Sequence, residues 1–276
     1  MSLGPFDLTG GPFLTLYGAL LVCTIIAGFI IPRWLRPDGS TMRITDPEKL
    51  AFLAGGTSRL ADAVVSRLLA SDAISLIGKK AFAAAPRAQG DTFAERNVLA
   101  VANGSPAAWQ SVARSIGPQA ETIERELVSA GLMMDHAVTN QMRFWQVSPY
   151  LLLIVFGAIK VGVGEARDRP VGFLVALLIL TLFLATIRFF VVDRRTRGGL
   201  EVLASARDRG ERLRRAPAGD ETGLAVALFG TGVLAGSPWS DYHAMRTVSS
   251  DGGSGGSGCG GGGGGGGGGC GGCGGS

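Results

Sequence analysis

The chain has 276 residues, of which 46% are hydrophobic and only 17% charged; soluble domains average about 25% charged, so the composition argues against an ordinary soluble protein and for a membrane one. The net charge of +4 matches the Arg and Lys excess of cytoplasmic loops in bacterial inner-membrane proteins, and gives no support to a nucleic-acid partner. Of the four cysteines, one lies in an apolar run and three in a glycine tail, which leaves no framework for a disulfide-built fold.

Residues 1–12 carry one charge, Asp7, and are expected outside the membrane. Residues 13–31 are free of charge, and a helix of that length reaches roughly 28 Å, enough for a hydrocarbon core. No basic residue precedes Arg33, while Arg33 and Arg36 follow directly. That order predicts an uncleaved anchor with its N-terminus outside, not a secretory signal. Leu20 to Cys23 faintly resembles a lipoprotein box, but a basic stretch ahead of it is missing. Cys23 is expected as a lipid-facing or packed thiol.

Residues 32–146 are the one sizeable polar part, with 13 Lys+Arg against 11 Asp+Glu. They are expected as a cytoplasmic helical domain built from two winged-helix-like units, about 46–85 and 92–134. In the first, Asp46 followed by Pro47 and Glu48 has the form of a helix start, and Gly55-Gly56 should stop that helix. Leu60, Val64 and Leu68, beside Ala61, Val65 and Leu69, mark the apolar face of a second helix. Ala73 to Ile77, a turn at Gly78, and Ala81 to Ala84 predict a β-hairpin. In the second unit a helix over Phe93 to Ala102 stops at Asn103-Gly104. Ser105-Pro106 should restart a helix through Ile116, and Gly117-Pro118 should break it before a third helix over Gln119 to Ala130.

Two further apolar runs follow, residues 147–163 and 171–192, joined by a charged loop at 164–170 that is expected outside. Lys160 and Arg188 lie near the ends of these runs, from where their long stems can snorkel to the headgroups. The flanks Arg33, Arg36, Arg43, Arg143, Arg194, Arg195 and Arg197 fall on one side if three helices span, and the positive-inside rule makes that side the cytoplasm. Residues 193–248 should hold a basic helix and a short apolar helix. The apolar stretch Gly223 to Gly236 is short for a span, so an interfacial or protein-packed helix is expected. Residues 249–276 are a Gly/Cys-rich tail with no apolar surface to bury, hence expected to be disordered.

The helix entry Asp46 to Gly56, Arg169 to Phe173 opening the last apolar run, Arg194 to Gly198 after it, Val226 to Gly230 and the tail together resemble a family of bacterial multi-pass membrane proteins with a Gly/Cys-rich C-terminus. The resemblance covers most of the chain from about residue 44 on. It implies a membrane location and the tail, and brings no activity with it.

The sharpest chemistry is in the tail. Cys270 and Cys273, spaced as C-x-x-C, can chelate zinc or another soft metal, copper(I) or an iron–sulfur cluster, with Cys259 as a third ligand. A fourth would have to come from His243, water or another chain. A DNA reading would use Arg59 and Arg67 on the second helix and Lys79 and Lys80 in the hairpin turn. The segment's net charge of +2 is too small for the basic stripe of a DNA footprint, and nucleic acid is not expected. Gly230 to Ala235 has the shape G-x-G-x-x-A but lacks room for a βαβ unit, so no dinucleotide site is expected. His136 and His243 have no acid or nucleophile beside them in any catalytic motif. The expected class is mainly α: three transmembrane helices, a winged-helix-like cytoplasmic domain and the tail. The expected function is a membrane-anchored interaction or assembly module, not an enzyme, with the bilayer and other proteins as partners and no cofactor. The alternative is metal binding or thiol redox through Cys259, Cys270 and Cys273.

Overall fold

In a computed structural model the described residues are 10–78, 80–165, 172–215 and 217–251. The fold is mainly helical. Three helices are long and apolar enough to cross a membrane: α1 (Gly10–Leu35), α6 (His136–Glu165) and α7 (Gly172–Phe190). They pack on one another, and their outward faces carry Ile26, Phe29, Leu152, Val155, Ile179 and Phe183 exposed. A surface of that kind suits hydrocarbon and would be a large apolar patch in water. The second of these helices begins at His136, well ahead of the apolar run at 147, and continues through Pro149.

The three helices meet around Phe13, Tyr17, Leu21, Leu153 and Leu174. Gly157 lets α6 approach, since a Cβ there would lie 2.9 Å from both Leu178 and Tyr17. Tyr17 Oη lies 3.1 Å from Thr181 Oγ1, and Thr181 Oγ1 donates to the Leu177 carbonyl at 2.7 Å. A threonine hydroxyl has one proton, so Tyr17 is the donor to Thr181. Lys160 stands over the Phe13 ring at 4.9 Å. Arg188 departs from the snorkelling expected of it. It turns inward, donates to the Gly28 carbonyl of α1 and stacks on Phe29 at 5.0 Å. An open carbonyl on the neighbouring helix is a nearer partner than the headgroups.

The remaining elements form a second body. Helix α2 (Pro47–Ala70) starts as expected, with the Asp46 side chain accepting from Glu48 N. It breaks at Gly55 and Gly56, and Gly56 has φ 67°, a conformation that glycine adopts without steric cost. Strands β1 (Ile74–Ile77) and β2 (Ala81–Ala84) form the hairpin, with Ile74 opposite Ala84. Next come α3 (Phe93–Ala102), capped by a Thr92/Glu95 capping box, β3 (Ala107–Ala108), α4 (Trp109–Ser115) and α5 (Gly117–Ser129). After the apolar helices come α8 (Arg197–Arg209), α9 (Glu211–Arg215), α10 (Thr222–Phe229) and α11 (Ser240–Asp251).

One expectation changes here and one is narrowed. Ser105-Pro106 does not restart a helix at once. Ala107–Ala108 instead pairs with β2 as a third antiparallel strand, and the helix begins only at Trp109. That strand ties the second segment to the hairpin of the first, so the two expected units share one sheet and one core, running from Leu50 through Val98, Ile123 and Leu203 to Tyr242. Segments of about 40 residues bury too little surface to stand alone. The apolar stretch after residue 222 was expected as an interfacial or protein-packed helix, and the second alternative holds. Ala225, Val226 and Ala227 are 0% exposed and α10 lies against α2. A helix apolar all round belongs inside a core.

The two bodies are tied by the main chain. Beyond α1, Asp38 and Pro37 accept from Gly198 N (2.7 Å) and Arg197 N (3.0 Å), while Ser40 N donates to Gly131 O (3.1 Å). Ahead of α6, Leu132 O accepts from Thr196 N (3.1 Å), and Met134 N donates to Arg194 O (2.7 Å). All three connections between bundle and domain therefore cross at one place. Gly198 and Gly199 allow it, because a Cβ on either would lie 2.0 Å from Ser40 O or 2.2 Å from Leu132 O.

Candidate functional site

The domain's charged interior is organised around α2. Its second half carries two polar residues, Asp62 and Ser66, within an otherwise apolar buried face. Asp62 is 7% exposed. It accepts from Tyr242 Oη at 2.8 Å and from Arg246 Nε at 2.6 Å, both from α11. Tyr242 and Arg246 are four residues apart, so they share one helix face. Arg246 also reaches Ser58 Oγ (3.0 Å) and lies over the Trp109 ring at 4.0 Å. Tyr242 completes an aromatic group with Phe82 and Trp109, at centroid distances of 6.0 and 6.1 Å. Burial pushes the Tyr242 phenol well above the usual tyrosine range, and the Asp62 carboxylate beside it adds to the shift. A neutral phenol donating to an ionised carboxylate is the stable pairing. Through this lock α11 is held on the domain immediately before the tail.

Farther along α2, Arg67 bridges Glu95 and Glu48, donating to Glu95 through Nε and standing 3.7 Å from Glu48 Oε1. Glu95 also accepts from the Asp91 and Thr92 amides, so it caps α3 and anchors Arg67 at once. Gln119 reaches Glu48 Oε2 at 3.4 Å. A cavity of about 70 Å³ lies here, bordered by Glu48, Arg67, Asp220 and Gly223. It suits a few waters and is well below the usual size of a small-molecule site.

The residues singled out from the sequence scatter. Arg67 is engaged by Glu95, and Arg59 Nη1 donates to the Val226 carbonyl at 3.3 Å. Both are turned into the domain instead of lying along a helix face open to a nucleic acid. Lys80 lies in the hairpin turn, and Lys79 falls outside the described residues. Cys259, Cys270 and Cys273 also lie outside them, as do the N-terminal residues before Gly10 and the loop at 166–171. His243 is on α11 with Nδ1 3.2 Å from Thr231 Oγ1, and His136 Nε2 is 3.1 Å from Glu124 Oε1. Cys23 is a free, exposed thiol on α1. Among the described residues, no three His, Cys, Asp or Glu side chains are grouped to hold a metal.

Sequence reasoning missed the Asp62–Tyr242–Arg246 lock. The available signal was Asp62 itself, a carboxylate in the middle of an apolar helical face, which demands a buried partner. No protein family, curated protein or solved structure matches the chain.

Proposed function

We propose that the protein is a membrane-anchored interaction or assembly module without catalytic activity. In this reading it sits in a bacterial inner membrane with its N-terminus outside, its helical domain and C-terminus in the cytoplasm, and other proteins as partners of that domain. The layout over Pro47 to Ala84, two helix segments and a hairpin, is winged-helix-like and serves protein contact here. The likeness to bacterial multi-pass proteins with a Gly/Cys-rich tail belongs to the same reading.

The observation that carries it is the shared core. Segments from both sides of the apolar hairpin, α2 and α10 above all, bury one another, with Leu53, Leu60 and Val226 each 1% exposed or less. Every connection to the bundle passes through the crossing at Ser40, Leu132 and Gly198. A single body rigidly tied to an anchor is suited to presenting a surface at the membrane. The test is recovery of the full-length tagged protein after crosslinking in cells. Deleting residues 252–276 should leave the crosslinked partner in place, and Asp62→Ala, which unlocks α11, should lose it. Loss on tail deletion alone would move the function to the tail. Orientation is tested by labelling Cys259 with an impermeant thiol reagent in intact cells, with Cys23 replaced by Ser; the reading expects no labelling.

The second reading is soft-metal or thiol chemistry at Cys259, Cys270 and Cys273, favoured by the C-x-x-C spacing of the last two. In that case purified protein should carry zinc that Cys270→Ser with Cys273→Ser removes. Equal metal content in both proteins would end that idea.

A further inference from the structure

The partly buried arginines of the domain fall into two groups. Arg67, Arg194 and Arg246 each rest on a carboxylate: Glu95, Glu124 at 2.6 Å, and Asp62 at 2.6 Å. Arg59 and Arg207 do not. Among the described residues neither has a carboxylate within ion-pair distance, and each donates to a backbone carbonyl instead: Arg59 to Val226 O at 3.3 Å, Arg207 to Leu228 O at 3.0 Å. Arg195 joins them. Its Nη2 donates to Ala54 O at 2.6 Å, and its one acid, Asp193, is 3.7 Å away and shared with Arg36.

The three converge because two helix ends do. The first half of α2 stops after Ala54 at the glycine pair, and α10 stops after Phe229 at Gly230. Gly230 has φ 91°, and a Cβ on it would lie 2.0 Å from Arg59 Nη1. The close approach of the guanidinium therefore needs a glycine there. Two helix C-termini offer about half a negative charge each, roughly one in all. Three guanidiniums bring three positive charges, and Asp193 is shared between Arg195 and Arg36, so more than one positive charge remains uncompensated by that count. The mutual repulsion is visible in Arg207: burial lowers its pKa, and Arg195 and Arg59 lower it further. Arg59 and Arg207 each place one N–H on a carbonyl, whereas a guanidinium has five to give. The free edges of these forks match the paired oxygens of a phosphate.

We propose that Arg59, Arg195 and Arg207 form a binding site for a phosphate-bearing anion. The bound group supplies the missing negative charge and draws the ends of α2 and α10 together. Its source is either a soluble phosphate or the headgroup of an acidic lipid; Arg195 follows closely on the last residue of α7, Phe190.

The test uses full-length protein in phosphatidylcholine nanodiscs, with unfolding followed by tryptophan fluorescence. In one arm inorganic phosphate is titrated against chloride at equal ionic strength. In the other, phosphatidylglycerol replaces part of the phosphatidylcholine in phosphate-free buffer. The site predicts a saturable rise in Tm, as for any ligand that binds the folded state alone. A rise in the first arm identifies soluble phosphate as sufficient, and a rise in the second identifies the lipid headgroup. Arg207→Gln should weaken the response about tenfold or more, the value of a lost hydrogen bond between charged groups. Arg59→Gln serves the same purpose if Arg207→Gln does not fold. No rise over chloride in either arm, or an equal rise in the variants, would overturn the site and leave the arginines as caps of two helix ends.

Discussion

The Tyr242 phenol donates to Asp62 Oδ1 over 2.8 Å, joining residues 180 positions apart across the whole apolar hairpin. Both groups are buried, and Asp62 also holds Arg246. Tyr242→Phe keeps the ring against Phe82 and Trp109 and removes only the hydroxyl. The expected loss is about 1.5–3 kcal/mol, the usual value for a hydrogen bond to a charged group. Thermal unfolding of the purified protein measures it, and trypsin should cut sooner at Arg246 because α11 loosens first. A variant as stable and as resistant as the parent would mean that the lock holds nothing.

The same pair sets a pH dependence. In the fold the phenol stays protonated well above its ordinary pKa, while in the unfolded chain it ionises near pH 10. Above about pH 10 the unfolded state binds fewer protons than the folded one, so stability falls as pH rises. Below that pH the phenol is neutral in both states and contributes no slope. The advantage of wild type over Tyr242→Phe should therefore begin to shrink above about pH 10 and keep shrinking as pH rises, by up to about 1.4 kcal/mol per pH unit. Other alkaline groups titrate in both proteins, so the difference between the two melting curves is the readout. Curves that stay parallel would contradict the assignment.

Gly198→Ala should be among the most damaging single-methyl changes in the chain. The added Cβ would meet Ser40 O at 2.0 Å and Ser40 C at 2.5 Å. Backbone atoms have no rotamer by which to yield, so the crossing that ties the bundle to the domain must open. We expect a loss of about 3 kcal/mol or more, seen as a low Tm and poor recovery of monodisperse protein. Gly162→Ala, where nothing lies within 4 Å of the new methyl, is the matched control and should melt like the parent.

Arg188→Leu removes the donor to the Gly28 carbonyl while keeping an apolar side chain on α7. Interhelical hydrogen bonds in bilayers are worth about 0.6–2 kcal/mol. The bundle should unfold at a lower mole fraction of SDS, its unfolding free energy reduced by about 0.6–2 kcal/mol. Unchanged resistance would return Arg188 to the headgroup role that its position near the end of the helix suggests.

Local features were legible in the sequence because their causes are local. Asp46 with Pro47 announced the start of α2, since a cap and its helix are adjacent residues. Gly55-Gly56 announced the break, because few other residues adopt the φ of Gly56. Gly78 between two short β-prone runs announced the hairpin. The three apolar runs needed only length and composition. What the sequence could not determine are relationships between distant residues of similar type. Gly223 to Gly236 was suited both to an interface and to a core, and only packing against α2 decided for the core. Ala107 and Ala108 have no preference strong enough to predict a strand; the free edge of β2 supplied it. Arg67, read alone, is one more surface cation, and Glu95 and Glu48 made it an interior one. Arg59, Arg195 and Arg207 belong to three separate segments, and nothing in their spacing foretells that two helix ends would draw them together. Composition and short-range stereochemistry thus determined which elements form, whereas burial, which depends on what lies across the fold, decided which charges meet.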